Sequence, residues 1–175
     1  MARKKTVSVI GSGGLSPRDP RGALAYELGK ALVDHGYVVV CGGLGGVMEA
    51  AAKGARASEH HRPGSVIGVL PGDTAANANP YLDIALPTGL GHLRNSIVAR
   101  SDAVVAVGGG AGTLSEMALA WIFDRVVLAY RVGGWSGEMA DRPIDGRRRF
   151  PDNPEDRVYG VDAAEEVISL LARLL

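Results

Sequence analysis

Short apolar runs alternate with longer amphipathic stretches along most of the chain. Thr6–Ile10 is a continuous, largely β-branched run that enters Gly11-Ser12-Gly13-Gly14. Pro20 opens a stretch whose Leu24, Leu28, Ala31 and Leu32 share one helical face, and Gly36 ends it. Tyr37–Cys41 reads as a second strand and gives way to Gly42-Gly43-Leu44-Gly45-Gly46, with an alanine-rich helix from Val47 to Ala57. Ser65–Leu70 is a third strand, ending at Pro71-Gly72. The stretch from Asp73 to Leu90 reads as loop with a short strand at 82–85, and 92–101 as helix. Ala103–Val107 is another strand, followed by Gly108-Gly109-Gly110-Ala111-Gly112 and a helix from Thr113 to Phe123. Arg125–Tyr130 is a further strand. The segment 132–156, rich in Gly, Pro and charge, reads as a surface excursion. Asp162–Leu175 closes the chain as an amphipathic helix, with Asp162 and Glu165 at capping-box spacing.

Strands that are apolar on both faces and alternate with helices predict a parallel sheet covered on both sides. The expected fold is a doubly wound, three-layered, Rossmann-like α/β domain. No repeat or linker divides residues 1–175, so one domain is expected.

Composition adds constraints. Of 175 residues 46% are apolar, so the chain can bury a core. Lys+Arg and Asp+Glu number 19 each, which leaves no net charge to draw the protein to nucleic acid or a membrane. Fifteen of the 19 bases are Arg. The lone cysteine, Cys41, has no disulfide partner within the chain and suits a reducing, cytoplasmic setting. The basic start, Met1–Lys5, meets a glycine turn too soon for a secretory leader, and no apolar run approaches a membrane span. Glycine is the outlier. Its 25 residues are about twice the usual ~7% and are clustered, which signals tight turns or close backbone approach to a ligand.

In doubly wound sheets ligands bind outside the carboxyl ends of the strands. Four strand ends here carry glycine: Gly11–Gly14, Gly42–Gly46, Pro71-Gly72 and Gly108–Gly112. Three lead into helices, whose first N–H groups and dipole favour an anion. The candidate binding residues are therefore Gly11, Ser12, Gly13, Gly42, Gly43, Gly45, Gly46, Met48, Pro71, Gly72, Asn95, Gly108, Gly109, Gly110, Ala111, Gly112 and Thr113. The ligand this pattern implies is a phosphorylated small molecule.

Familiar nucleotide fingerprints are missing. Neither Lys30 nor Lys53 stands in a Gly-Lys-Ser/Thr context, and Ser16 occupies the third place of Gly11-x-Gly13-x-x-Gly. Cys41-Gly42 stands where a ribose-binding acid would end the second strand. All four lysines lie at the N-terminus or on helices, which argues against a pyridoxal-dependent decarboxylase.

Arg94 and Glu116 are the candidate chemical residues. Glu116 lies one turn into the helix after the fourth glycine cluster and can face the cleft; equally, Thr113-x-x-Glu116 has capping-box spacing. Arg94 can hold an anion or sit solvated on its helix. His60-His61 are adjacent and lack further ligands at metal spacing, so no metal site is expected. Arg147-Arg148-Arg149 reads as a solvated run, not a nucleic-acid site.

Gly42-Gly-Leu-Gly-Gly-Val-Met-Glu49, Gly68-Val-Leu-Pro-Gly72, Arg94-Asn95 and Gly108-Gly-Gly-Ala-Gly-Thr-Leu-Ser-Glu116 together resemble the LOG-type Rossmann superfamily. Its cytokinin-activating phosphoribohydrolases were long misnamed lysine decarboxylases. Arg94-Asn95, Arg100-Ser101-Asp102 and Gly108–Glu116 resemble more closely the branch that contains the molybdenum-cofactor carrier protein. The resemblance spans roughly Val7 to Tyr130. It implies two alternatives. One is hydrolysis of the N-glycosidic bond of a nucleoside 5′-monophosphate. There Glu116 would stabilise the ribosyl cation, Arg94 would hold the substrate, and the Gly108–Thr113 turn would take the phosphate. The other is a carrier or sensor that binds molybdopterin or a nucleotide on the same loops without chemistry. Val107 and Asn95 replace the Pro and Lys of the hydrolase pattern. No cofactor is required by either alternative. The resemblance also implies a homodimer or homotetramer.

Overall fold

A computed structural model describes residues 3–175; Met1 and Ala2, at the start of the basic N-terminus, lie outside the described residues. Seven parallel strands form one sheet in the order β4-β3-β2-β1-β5-β6-β7. They are β1 (Thr6–Gly11), β2 (Val38–Cys41), β3 (Val66–Leu70), β4 (Ile84–Pro87), β5 (Ala103–Val107), β6 (Val126–Tyr130) and β7 (Tyr159–Val161). The helices are α1 (Pro20–Asp34), α2 (Val47–Arg56), α3 (Asn95–Val98), α4 (Ala111–Ile122), α5 (Trp135–Met139) and α6 (Ala164–Leu174). The doubly wound Rossmann-like architecture expected from the alternation is present.

Strand alternation sorts the core into two layers. Val7, Val9, Val39, Val105 and Leu128 pack against α1, α2 and α6 through Leu28, Leu32, Ala51, Ala55, Val167 and Leu171. Ile10, Val40, Val104, Ala106 and Val127 point to the opposite face, where Val98, Met117, Ala120 and Trp121 cover them. Ser8 falls on that second face. It stays satisfied because its hydroxyl donates to the Val98 carbonyl at 2.6 Å and lies 2.7 Å from the Ser101 hydroxyl.

The chain runs outward from β1 to β2, β3 and β4, then returns to place β5 on the other side of β1. The order reverses between β1 and β5, which pair in register from Val7↔Ala103 to Gly11↔Val107. Their glycine turns therefore leave the sheet side by side. A crevice at such a reversal is the usual ligand position of this architecture.

The structure corrects several local expectations. The helix over 92–101 is a 3-10 turn at Gly91–Arg94 and a single α-turn, α3. The short strand expected at 82–85 lies at Ile84–Pro87, where it pairs with β3 as an edge strand. The surface excursion contains α5, and β7 follows it. The closing helix starts after Ala163, so Asp162 and Glu165 form no capping box; the Asp162 N–H instead donates to Glu166. Arg149 is not solvated. Its side chain is fully buried, forks onto Asp156 at 2.8 Å, donates to the Arg125 carbonyl and stacks 3.5 Å above Trp121. No helix of the described residues is long and apolar enough to cross a membrane.

Candidate functional site

Helix α4 sets the geometry. It begins at Ala111 behind Gly110, two residues earlier than the sequence pattern suggested. Thr113 therefore lies inside the first turn and is not the N-cap. Glu116 is released from any capping role, and its carboxylate turns to Arg94, whose Nη1 donates to Oε1 at 2.8 Å. Both side chains are almost completely buried, at 10% and 9% exposure. Burial pushes the Glu116 carboxyl up to about 7, and Arg94 offsets only part of that rise. The Arg94 Nε is buried and has no hydrogen-bond partner among the described residues. An unpaired buried donor is costly unless a ligand or water completes it.

The first N–H groups of α4 likewise have no partner within the helix. Arg94, Glu116, Gly11, Ser12, Gly13, Met48, Asn95, Gly110, Gly112 and Thr113 converge on one cleft of about 220 Å³, together with His92. Asn95 is buried, and its amide nitrogen donates to the Ser115 hydroxyl at 2.8 Å, which steadies the first turn of α4. A wider cleft of about 460 Å³, lined in part by Ser16, Arg18, Glu49, Lys53 and Tyr81, shares only Gly46 with the glycine turns.

The remaining candidate residues do not line this cleft and lie in the turns around it. A Cβ at Gly42 would lie 2.5 Å from Arg94 Nη2 and 2.7 Å from Met48 Sδ, so only glycine lets Arg94 lie there. Gly46 has φ +67° and a Cβ would meet the Ser12 carbonyl at 2.2 Å; this contact joins the first and second turns. Gly43 and Gly45 lie in the same turn, which Asn79 pins by donating to the Leu44 carbonyl at 3.0 Å. The carbonyls of Pro71 and Gly72 accept from Gly91 and Gly89 at 2.9 Å, which leads the chain into the 3-10 turn bearing His92 and Arg94. Gly108 and Gly109 form the bend before Gly110 and Ala111.

Two readings of single residues are refined. Cys41 is a core residue, its sulfur accepting from Gly43 N–H at 3.4 Å, and burial pushes the thiol up to about 11. His60 and His61 face different carboxylates, Asp34 and Asp83. Sequence reasoning missed Arg21. From the first turn of α1 it donates to the Ser12 hydroxyl at 3.0 Å, and its place two residues after the N-cap Asp19 was the available signal.

The chain is similar to proteins of known and unknown role. An uncharacterized protein of Archaeoglobus fulgidus is 43% identical over 115 residues, covering 65% of this chain and 72% of that one. The molybdenum cofactor binding protein of the phototrophic bacterium Rippkaea orientalis superposes with a TM-score of 0.81. It is 33% identical and 99% of each chain is covered. The molybdenum cofactor carrier protein of Chlamydomonas reinhardtii gives a TM-score of 0.77 at 30% identity, with 98% of each chain covered. The model of the SLOG cluster4 family matches residues 4–156, and the chain belongs to that family.

Proposed function

We propose that this protein binds a phosphorylated small molecule of the molybdopterin or nucleotide kind and holds it without turning it over, as a carrier or sensor. The observation that carries this reading is the buried Arg94 guanidinium with its unpaired Nε, beside the open N–H groups at the start of α4. Such an arrangement would meet an incoming anion with donors already in place. The phosphate would lie on Gly110–Thr113 and the Gly11–Gly13 turn, with Arg94 against it. The full-length likeness to a molybdenum cofactor binding protein and a carrier protein supports this ligand class. Relatives of the resemblance assemble, and the reading takes this chain as a homodimer or homotetramer.

A second reading has its own support. Glu116 and Arg94 meet inside the cleft, where a carboxylate beside a sugar phosphate would stabilise a ribosyl cation. That would make the protein a nucleoside 5′-monophosphate phosphoribohydrolase.

One experiment separates the two. Melting temperature is measured against AMP, GMP, CMP, UMP, ribose 5-phosphate and a molybdopterin extract, with free base assayed in the same wells. A ligand of the native state raises the melting temperature. A rise without base release is the expected result. Base release that disappears in Glu116→Ala would establish the hydrolase instead, and no rise with any compound would overturn both readings.

A further inference from the structure

Ser12 has a hydrogen-bond inventory that fixes the direction of its hydroxyl. A serine hydroxyl has one hydrogen to donate and two lone pairs to accept with. Both lone pairs are taken here. Gly109 N–H donates to Oγ at 3.1 Å, across the gap between the β5 and β1 turns, and Arg21 Nη1 donates at 3.0 Å. Ser12 donates to none of the described residues, and it lines the cleft.

Arg21 is itself held in place. Its Nε donates to Asp19 Oδ1 at 2.9 Å, its Nη2 donates to Oδ2, and its backbone N–H donates to Oδ1 at 3.0 Å. The guanidinium holds the Asp19 carboxyl down at about 2. Gly108 leaves room for the arrangement: a Cβ there would lie 2.8 Å from Arg21 Cδ and 2.9 Å from Nη1. A chain of donors thus runs from the helix cap through Arg21 to Ser12, and at Ser12 only the hydroxyl hydrogen is left to donate.

We propose that Arg21 is a positioning residue that commits the Ser12 hydroxyl to donate into the cleft, so that the site favours an accepting oxyanion oxygen such as those of a phosphate. The inference rests on the phosphate-binding reading of this cleft. It adds that recognition depends on a residue that does not itself line the cleft. Without Arg21 a lone pair of Ser12 is freed, and the hydroxyl can turn its hydrogen away from the ligand.

The test is calorimetric titration of inorganic phosphate and AMP into the wild type, Ser12→Ala, Arg21→Met, Arg21→Lys and the Ser12→Ala/Arg21→Met double variant. A charge-assisted network of this kind supports a loss of roughly 10-fold for Arg21→Met. Ser12→Ala should lose a similar factor, and the double variant no more than about either single change, because both break one linkage. Arg21→Lys should recover only part, since one ammonium cannot both fork onto Asp19 and reach Ser12. Losses that multiply in the double variant would overturn the linkage while leaving the phosphate site standing, as would wild-type affinity in Arg21→Met. A wild type that takes neither probe would remove the phosphate reading and the inference with it.

Discussion

At the scale of single residues, the Arg94–Glu116 pair decides how the site responds to pH. The Glu116 carboxyl is raised to about 7 by burial, so near neutrality it exchanges a proton easily. A protonated Glu116 leaves Arg94 with its full charge for a ligand anion and removes a repelling carboxylate. Affinity for a phosphate ligand should therefore rise as pH falls from about 8 through 7. It should fall again near pH ~6, where the phosphate itself takes a proton. Titration calorimetry across this range checks the slope, and Glu116→Gln should flatten it between pH 7 and 8. Stability carries the same signature. The folded pKa lies above the ordinary 4.5, so the contribution is fully present below that value and is lost as pH rises through about 7. Glu116→Gln should therefore flatten the decline of melting temperature between about pH 5 and 8. That Arg94 and Glu116 were worth singling out was legible from the sequence; that they pair was not. The Thr113-x-x-Glu116 spacing fits a cap, and only the two-residue earlier start of α4 turns the carboxylate into the cleft.

At the scale of elements, legibility followed continuity of apolar sequence. β2, β3, β5 and β6 are unbroken apolar runs ending near glycine or proline, β1 is a β-branched run interrupted by Ser8, and each stands where its run predicts. β7 has three residues and no periodicity of its own. It exists because Tyr159–Val161 pairs with Leu128–Tyr130 at the sheet edge, a partner remote in sequence. The same remoteness hid Arg149, which looks like one of three surface arginines until Asp156 and Trp121 come to it. This buried fork ties the excursion to α4 and β6, helped by Trp121 Nε1 donating to Asp145 at 2.9 Å. Removing the arginine strands a carboxylate that is 8% exposed. Breaking one partner of a buried pair costs about 3–5 kcal/mol. In a chain of this size each kcal/mol moves the midpoint by ~2–4 °C. Arg149→Met should accordingly lower the melting temperature by roughly 6–20 °C, read by calorimetry. Arg148→Met, an exposed neighbour, should leave it nearly unchanged.

At the scale of the whole molecule, the cleft is too small for the ligand proposed to fill it. Ligand sites usually enclose ~300–1,000 Å³, whereas the space between the glycine turns and Arg94 is about 220 Å³. It would take a phosphate and the first atoms beyond it, and on the proposed reading a pterin or nucleobase ring would lie further out, toward His92. The surface there is apolar where solvent should face polar groups. Leu93 is 75% exposed between His92 and Arg94, with Leu90 at 45% and Ile97 at 44% nearby along the chain. A second copy packed on this segment would bury those side chains and supply a wall for the ring. Light scattering should then give a mass of at least twice 18.2 kDa. Leu93→Glu places a charge on the contact and should shift the mass toward a single chain. The same change should weaken AMP, or whichever ring-bearing ligand binds, more than inorganic phosphate, whose contacts all lie within one subunit. A wild type that remains a single chain at micromolar concentration would overturn the assembly. Equal losses for both ligands would show that the ring finds its wall within the subunit.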